Sequence, residues 1–261
     1  MPLPGQAELA LAGLRLELDV PVAGAATVTL SRPERRNAMT PGMWRGLAAV
    51  GRSLPPAVRV VVVRGSGPVF CAGIDLRLLA GDPVPGEEPI PAPADPGFED
   101  WIASCQEGFG WLHEPSIVSV AAVQGHAIGA GFQLALACDL RVLADDAQLC
   151  MREPSLGLVP DLMGTKPLVD IAGLPRALEL CLTGRSVPAA EARSLRLAEL
   201  VVPGTELDAA VSDLAAAILA IDPATARATK QLLGQAAGNS LAGQAAAERH
   251  AQAELQRGRR A

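Results

Sequence analysis

The sequence predicts an α/β fold built on a buried, mostly parallel sheet and followed by a helical C-terminal part. Three observations carry this. Val58–Arg64 (VRVVVVR) and Ser116–Val123 (SIVSVAAV) are continuous runs rich in β-branched residues, as expected of strands covered on both faces. Strand and helix signals alternate to about residue 150, the order produced by right-handed crossover units. Beyond Leu174 the pattern turns almost wholly helical.

Each element has a local cause. Leu14–Val20 alternates and Ala26–Leu30 is rich in β formers, so the two read as an opening hairpin. Thr40-Pro41 supplies a capping hydroxyl and a proline at the first helical position, opening a helix to about Leu54. Gly81–Gly97 (GDPVPGEEPIPAPADPG), dense in proline and acid, reads as a mobile surface loop. Phe98–His113 resumes as a helix, Gly125–Ala137 is a glycine turn running into another, and Leu140–Leu143 returns as a strand. A short strand near Leu200–Val202 precedes a helix from Asp222-Pro223 through Leu233 and a last one from Leu241 to about Gln256. No internal repeat is evident. The expected division is a core of residues 1–200 carrying the site and a helical region of residues 201–261.

Composition narrows the function. With 49% apolar and 19% charged residues in 261, there is ample material for a core and no signature of disorder. A net charge of −6 argues against a long basic face for nucleic acid, yet a few local arginines can still meet an anionic ligand. The five cysteines, at 71, 105, 138, 150 and 181, form no C-x-x-C pair and have no histidine at metal spacing, so they read as reduced thiols without a metal. The N-terminal segment lacks a basic region before an apolar run, and no stretch reaches the roughly 18 to 20 apolar residues of a membrane span. A cytoplasmic protein with no membrane partner is expected.

Two segments carry the chemistry: FCAGIDL (Phe70–Leu76) and QGHAIGAGFQLALACDL (Gln124–Leu140). Each follows a predicted strand and places small residues where the chain enters a helix. Helix starts offer free N–H groups and partial positive charge, and small residues let a ligand approach them. Two such groups converging on one oxygen make an oxyanion hole, worth about 3 to 4 kcal/mol per donor in acyl chemistry. The plainer alternative is that the glycines only permit tight turns and close helix–sheet packing. A dinucleotide fingerprint beginning at Gly129-Ala130-Gly131 is disfavoured, because its third glycine position holds Leu134 and the motif sits mid-chain. No Walker A sequence is present.

Five segments in order resemble the crotonase superfamily over nearly the whole chain: SRPERRNAM (Ser31–Met39), VVVRGSGPVFCAGIDL (Val61–Leu76), SVAAVQGHAIGAGFQLALACDLRV (Ser119–Val142), EPSLGLVPDLMGT (Glu153–Thr165) and LTGRSVPAAEARSLRLAELVVP (Leu182–Pro203). The resemblance implies a spiral of ββα turns and a helical C-terminal region that forms homotrimers, often paired as dimers of trimers. It implies a coenzyme A thioester as substrate and no permanently bound cofactor. It places the oxyanion donors on the backbone N–H groups of Ile74 and Ala130. It lines the CoA side with Arg35, Arg36, Ala38, Ala72, Gly73, Asp75, Leu76 and Gly129, with Asp75 shaping its turn rather than moving protons.

The resemblance also puts the acids in question. Hydratases of this family use two glutamates flanking one water; here the first position holds Gln133 and the second Glu153. An amide can orient water but cannot accept and return a proton. Asp161, eight residues on, occupies a place that is acidic in dienoyl-CoA isomerases. Glu153 with Asp161 can therefore serve a double-bond shift, which is favoured slightly over hydration. The residue-level alternatives are that Glu153 pairs with Arg152 on the surface and that Asp161 caps a helix starting near Leu162. A further alternative is a non-catalytic acyl-CoA-binding protein that keeps the hole. His126 reads as packed, His113 and His250 as ordinary helix residues, and Cys71 as core.

Overall fold

The structure is a computed structural model that describes residues 2–258. A short helix, α1 (Gln6–Leu11), precedes the hairpin β1 (Leu14–Leu18) and β2 (Ala25–Leu30). Then come α2 (Pro41–Ser53), β3 (Val60–Gly65), α3 (Leu76–Ala80), α4 (Phe98–Gly110), β4 (Val118–Val123), β5 (His126–Ile128), α5 (Ala130–Ala137), β6 (Leu140–Ala144) and β7 (Gln148–Cys150). The remainder is α6 (Thr165–Ala172), α7 (Leu174–Thr183), β8 (Val187–Pro188), α8 (Ala189–Ser194), β9 (Leu200–Val202), α9 (Leu207–Leu219), α10 (Pro223–Ala236) and α11 (Leu241–Gly258).

Six strands form the main sheet in the order β1-β2-β3-β4-β6-β9. β1 is antiparallel to β2 and every other pairing is parallel. Alternate residues point to opposite faces, and both faces are covered. Val28, Val61, Val63, Ala121 and Val123 join one core with Leu47 of α2, Phe109 of α4 and Phe132 of α5. Val60, Val62, Val120, Ala122 and Val142 meet Leu207, Val211 and Ala215 of α9 on the other. Two covered faces are the reason the strands carry valine continuously rather than at every second position.

Thr40 caps α2 as its sequence suggests, its hydroxyl accepting the Met43 N–H at 3.2 Å. Lys230 of α10 reaches the carbonyl oxygens of Glu114 and Ile117 (3.0 and 2.8 Å) and Asp139 Oδ2 (2.7 Å), which ties the last helices to the core. Among the described residues, no single helix is long and apolar enough to cross a membrane. Residues 259–261 of the expected C-terminal region lie outside those described.

Two local readings change. The Gly81–Gly97 segment is a surface loop but is tethered: Val84 is buried, and the Glu87 carboxylate accepts the Gly42 N–H at 2.8 Å in the first turn of α2. A carboxylate there satisfies an unpaired helix donor and faces the positive end of the helix. The helix expected near Leu162 begins instead at Thr165, with Gly164 before it and no side-chain cap, so Asp161 is not a capping residue.

Candidate active site

The first glycine segment leaves β3 and runs beside β5. Cys71 N–H donates to the His126 carbonyl and Ile128 N–H to the Cys71 carbonyl, each at 2.9 Å. On its other side it is zipped to residues 36–39: Ala72 N–H to Arg36 O, Met39 N–H to Gly73 O and Asp75 N–H to Met39 O, at 2.7 to 2.9 Å. Asn37 holds this assembly from beneath. It is fully buried with φ +55°, and its amide nitrogen donates to the carbonyls of Ser66, Val69 and Phe70 at 2.8, 2.9 and 3.1 Å.

Gly73 brings the two glycine segments together. Its φ is +91°, and a Cβ there would lie 2.8 Å from the Ile128 carbonyl oxygen and 3.8 Å from the Ala130 nitrogen. Only glycine permits both that conformation and that approach. The result sets the main chain at Ile74 beside the start of α5, whose first residue is Ala130. Neither N–H is engaged by another main-chain group among the described residues. Asp75 caps α3, and its carboxylate takes hydrogen bonds from Arg77 (2.7 and 3.0 Å) and Arg32 (3.2 Å). The Arg77 hydrogen bond, supported by Arg32, holds its pKa down at about 2, so it stays ionised.

A cavity of about 440 Å³ opens at this junction. Ala72, Gly73, Ile74, Leu76, Gly129 and Ala130 line it together with Glu153 and Asp161. The rest is largely apolar: Trp44 of α2, Phe98, Trp101 and Ile102 of α4, and Ile90 of the tethered loop. Phe98 stacks on Trp101 at 5.8 Å, and Trp44 meets Trp101 edge-on at 6.5 Å.

Glu153 is not paired with Arg152. The Glu153 residue is 8% exposed, while the Arg152 guanidinium donates to the Gly184 carbonyl at 3.0 Å. Glu153 Oε1 accepts from the Gln133 amide at 2.6 Å, and Oε2 is buried without a partner among the described residues. Burial pushes this carboxyl above the usual carboxylate range; the Gln133 hydrogen bond opposes the rise and the charge of Asp161 adds to it. Asp161 is half-buried and raised by burial as well.

The sequence-predicted residues thus divide. Ile74, Ala130, Glu153, Asp161, Ala72, Gly73, Leu76 and Gly129 border one cavity. Gln133 lies fully buried behind Glu153, Ala38 and Asp75 are buried in the supporting turn, and Arg35 and Arg36 are exposed beside it. His126, expected to be packed, is exposed on β5, a strand too short to bury both its faces. Cys71 is core, its thiol pushed up to about 12 by burial. Asn37, Arg32, Glu87 and the aromatic wall had no local signature as site residues.

Residues 22–260 match the family model for enoyl-CoA hydratase/isomerase. A candidate enoyl-CoA hydratase of Thermobifida fusca, solved in complex with CoA, superposes with a TM-score of 0.94 at 57% identity over 99% of both chains. The enoyl-CoA isomerase/hydratase fer4 of Mycosarcoma maydis is 30% identical over 244 residues, 89% of this chain and 85% of that one. Human mitochondrial Delta(3,5)-Delta(2,4)-dienoyl-CoA isomerase is 35% identical over 208 residues, 78% of this chain and 63% of that one. With the match spanning nearly all of it, the chain belongs to the enoyl-CoA hydratase/isomerase family and is an acyl-CoA enzyme of crotonase fold.

Proposed function

We propose that this enzyme moves a carbon–carbon double bond along an enoyl-CoA, converting a 3-enoyl thioester to the 2-enoyl isomer. The thioester carbonyl lies between the N–H groups of Ile74 and Ala130. Glu153 Oε2 takes a proton from C2, and charge moves onto the thioester oxygen as an enolate held by those donors. A proton delivered to C4, by Glu153 itself or with Asp161 assisting, completes the shift. Donors aimed at the oxygen where charge develops stabilise the transition state more than the ground state.

The observation that carries this reading is the pairing behind Glu153. Gln133 occupies the first acid position with an amide, leaving one oxygen of the Glu153 carboxyl free to exchange protons with substrate. Hydration calls for a second group that can take and return a proton, and an amide cannot. Burial raises the carboxyls of Glu153 and Asp161 above their ordinary range, which makes each a readier proton carrier than an exposed carboxylate. Arg35 and Arg36 suit the anionic end of CoA, with Ala38 and Asp75 holding the turn. Incubation with a 3-enoyl-CoA and with a 2-enoyl-CoA decides the reaction: turnover of the second but not the first removes the isomerase reading. Glu153→Gln then separates enzyme from binder, since equal inactivity of wild type and variant on every thioester, with tight acyl-CoA binding, makes binding the function.

The same reading takes residues 1–200 as the catalytic unit and 201–261 as a helical region for a homotrimer or a dimer of trimers. Leu233 of α10 and Leu241 of α11, 71% and 88% exposed, support a covered surface there. Light scattering tests it. The free cysteines fit a reducing cytoplasm.

A further inference from the structure

Gln133 is 20 residues from Glu153 in sequence and 28 from Asp161, yet its buried side chain is in contact with the machinery at both ends. Its Oε1 accepts the N–H groups of Leu162 (2.9 Å) and Gly164 (3.3 Å), the residues that follow Asp161. Main-chain N–H groups can meet only the oxygen, so the amide nitrogen must face Glu153, where it donates to Oε1 at 2.6 Å. Packing closes the arrangement: a Cβ at Gly164 would lie 2.6 Å from Gln133 Cγ.

We propose, building on the reaction reading above, that Gln133 is a positioning residue that registers the two acid groups against each other. One end of the amide fixes Glu153 through Oε1 and leaves Oε2 as its single proton-carrying oxygen. The other end clamps the 162–164 segment and so sets the place of Asp161. An amide is the group this position requires, because it offers a donor and an acceptor in one plane without ionising. A glutamate there would meet the two N–H groups equally well but would turn a second carboxylate oxygen toward Glu153. Two carboxylates at that separation cannot both ionise, and the pair would hold one proton between them.

Two variants test this, Gln133→Met and Gln133→Glu. Methionine keeps the length and removes all three hydrogen bonds. Glu153 then loses a bond to its ionised form, so its carboxyl, followed by ¹³C NMR in the labelled protein, titrates about one to two pH units higher. Binding of hexanoyl-CoA stays within about threefold, since Gln133 does not border the cavity. On a 3-enoyl-CoA, kcat falls about 10- to 100-fold with KM little changed, as displacement of an acid by an ångström does. Glutamate keeps the shape, so the protein folds even where methionine is not tolerated. It behaves as wild type at low pH and shows a new alkaline limb in kcat/KM as the shared proton leaves. An unaltered Glu153 titration in Gln133→Met, or wild-type and Gln133→Glu profiles that superimpose, overturns the proposal. The titration needs no turnover, so it decides the positioning role even where the enoyl-CoA assay has gone against the isomerase reading.

Discussion

Replacing Gly73 with alanine puts a methyl group 2.8 Å from the Ile128 carbonyl oxygen, where ordinary contact begins at 3.4 Å. The backbone on one side or the other must therefore give by about 0.6 Å, because both contacting atoms belong to or sit on main chain. On one side of the contact is the Ile74 N–H, on the other the Ala130 N–H. An oxyanion donor works only at about 2.7 to 3.1 Å from the developing charge, and losing one costs about 10²- to 10³-fold in kcat. A 0.6 Å displacement is a partial loss, so kcat/KM should fall about 10²-fold. The left-handed φ of +91° adds a strain of about 1 to 2 kcal/mol, read as a lower denaturant midpoint. Gly81→Ala supplies the control: its φ is +76°, but nothing lies within 4 Å of the new methyl. That variant should lose comparable stability and keep full activity. Steady-state kinetics on a 3-enoyl-CoA with urea unfolding measures both. If Gly73→Ala retains activity within about threefold while its stability falls as in Gly81→Ala, the convergence of the two N–H groups is not what this glycine serves.

Glu153 also makes a prediction about stability. Its folded carboxyl titrates above the ordinary 4.5, so the contribution to stability is fully present below 4.5 and is lost as pH rises through the folded value. Glu153→Gln removes that loss. Calorimetry should find the variant melting higher than wild type at pH 7 to 8, with the gap closing as pH falls toward 4.5; a wild type that is the more stable at pH 8 would defeat the burial argument. Glu87→Ala removes the tether of the proline-rich loop from the first turn of α2, at a cost of about 0.5 to 2 kcal/mol by analogy with a lost helix cap. Limited proteolysis should then cut within 81–97 faster, and KM should rise because Ile90 from this loop borders the cavity; unchanged cleavage would show that other contacts hold the loop.

Much of the molecule follows from local chemistry. The valine runs of β3 and β4, covered on both faces, announced a buried parallel sheet, and Thr40-Pro41 and Asp222-Pro223 marked helix starts where their caps form. The glycine segments were legible as turns at strand–helix junctions, and the structure brings them together at one cavity. What stayed hidden was set by contacts between distant parts of the chain. α1 is six residues long, and β5, β7 and β8 have three, three and two, too short for a periodic pattern; β5 is held by pairing with Cys71 and β7. The proline-rich loop looked mobile because no local signal pairs Glu87 with the helix donor at Gly42. Glu153 beside Arg152 looked like half of a surface ion pair until the fold buried one and turned the other toward Gly184. Local chemistry set which groups were on offer: the backbone N–H groups of Ile74 and Ala130, two acids and one amide. That the amide faces Glu153 and braces the segment after Asp161 was settled by the fold, because burial and hydrogen-bond direction are properties of the assembled neighbourhood.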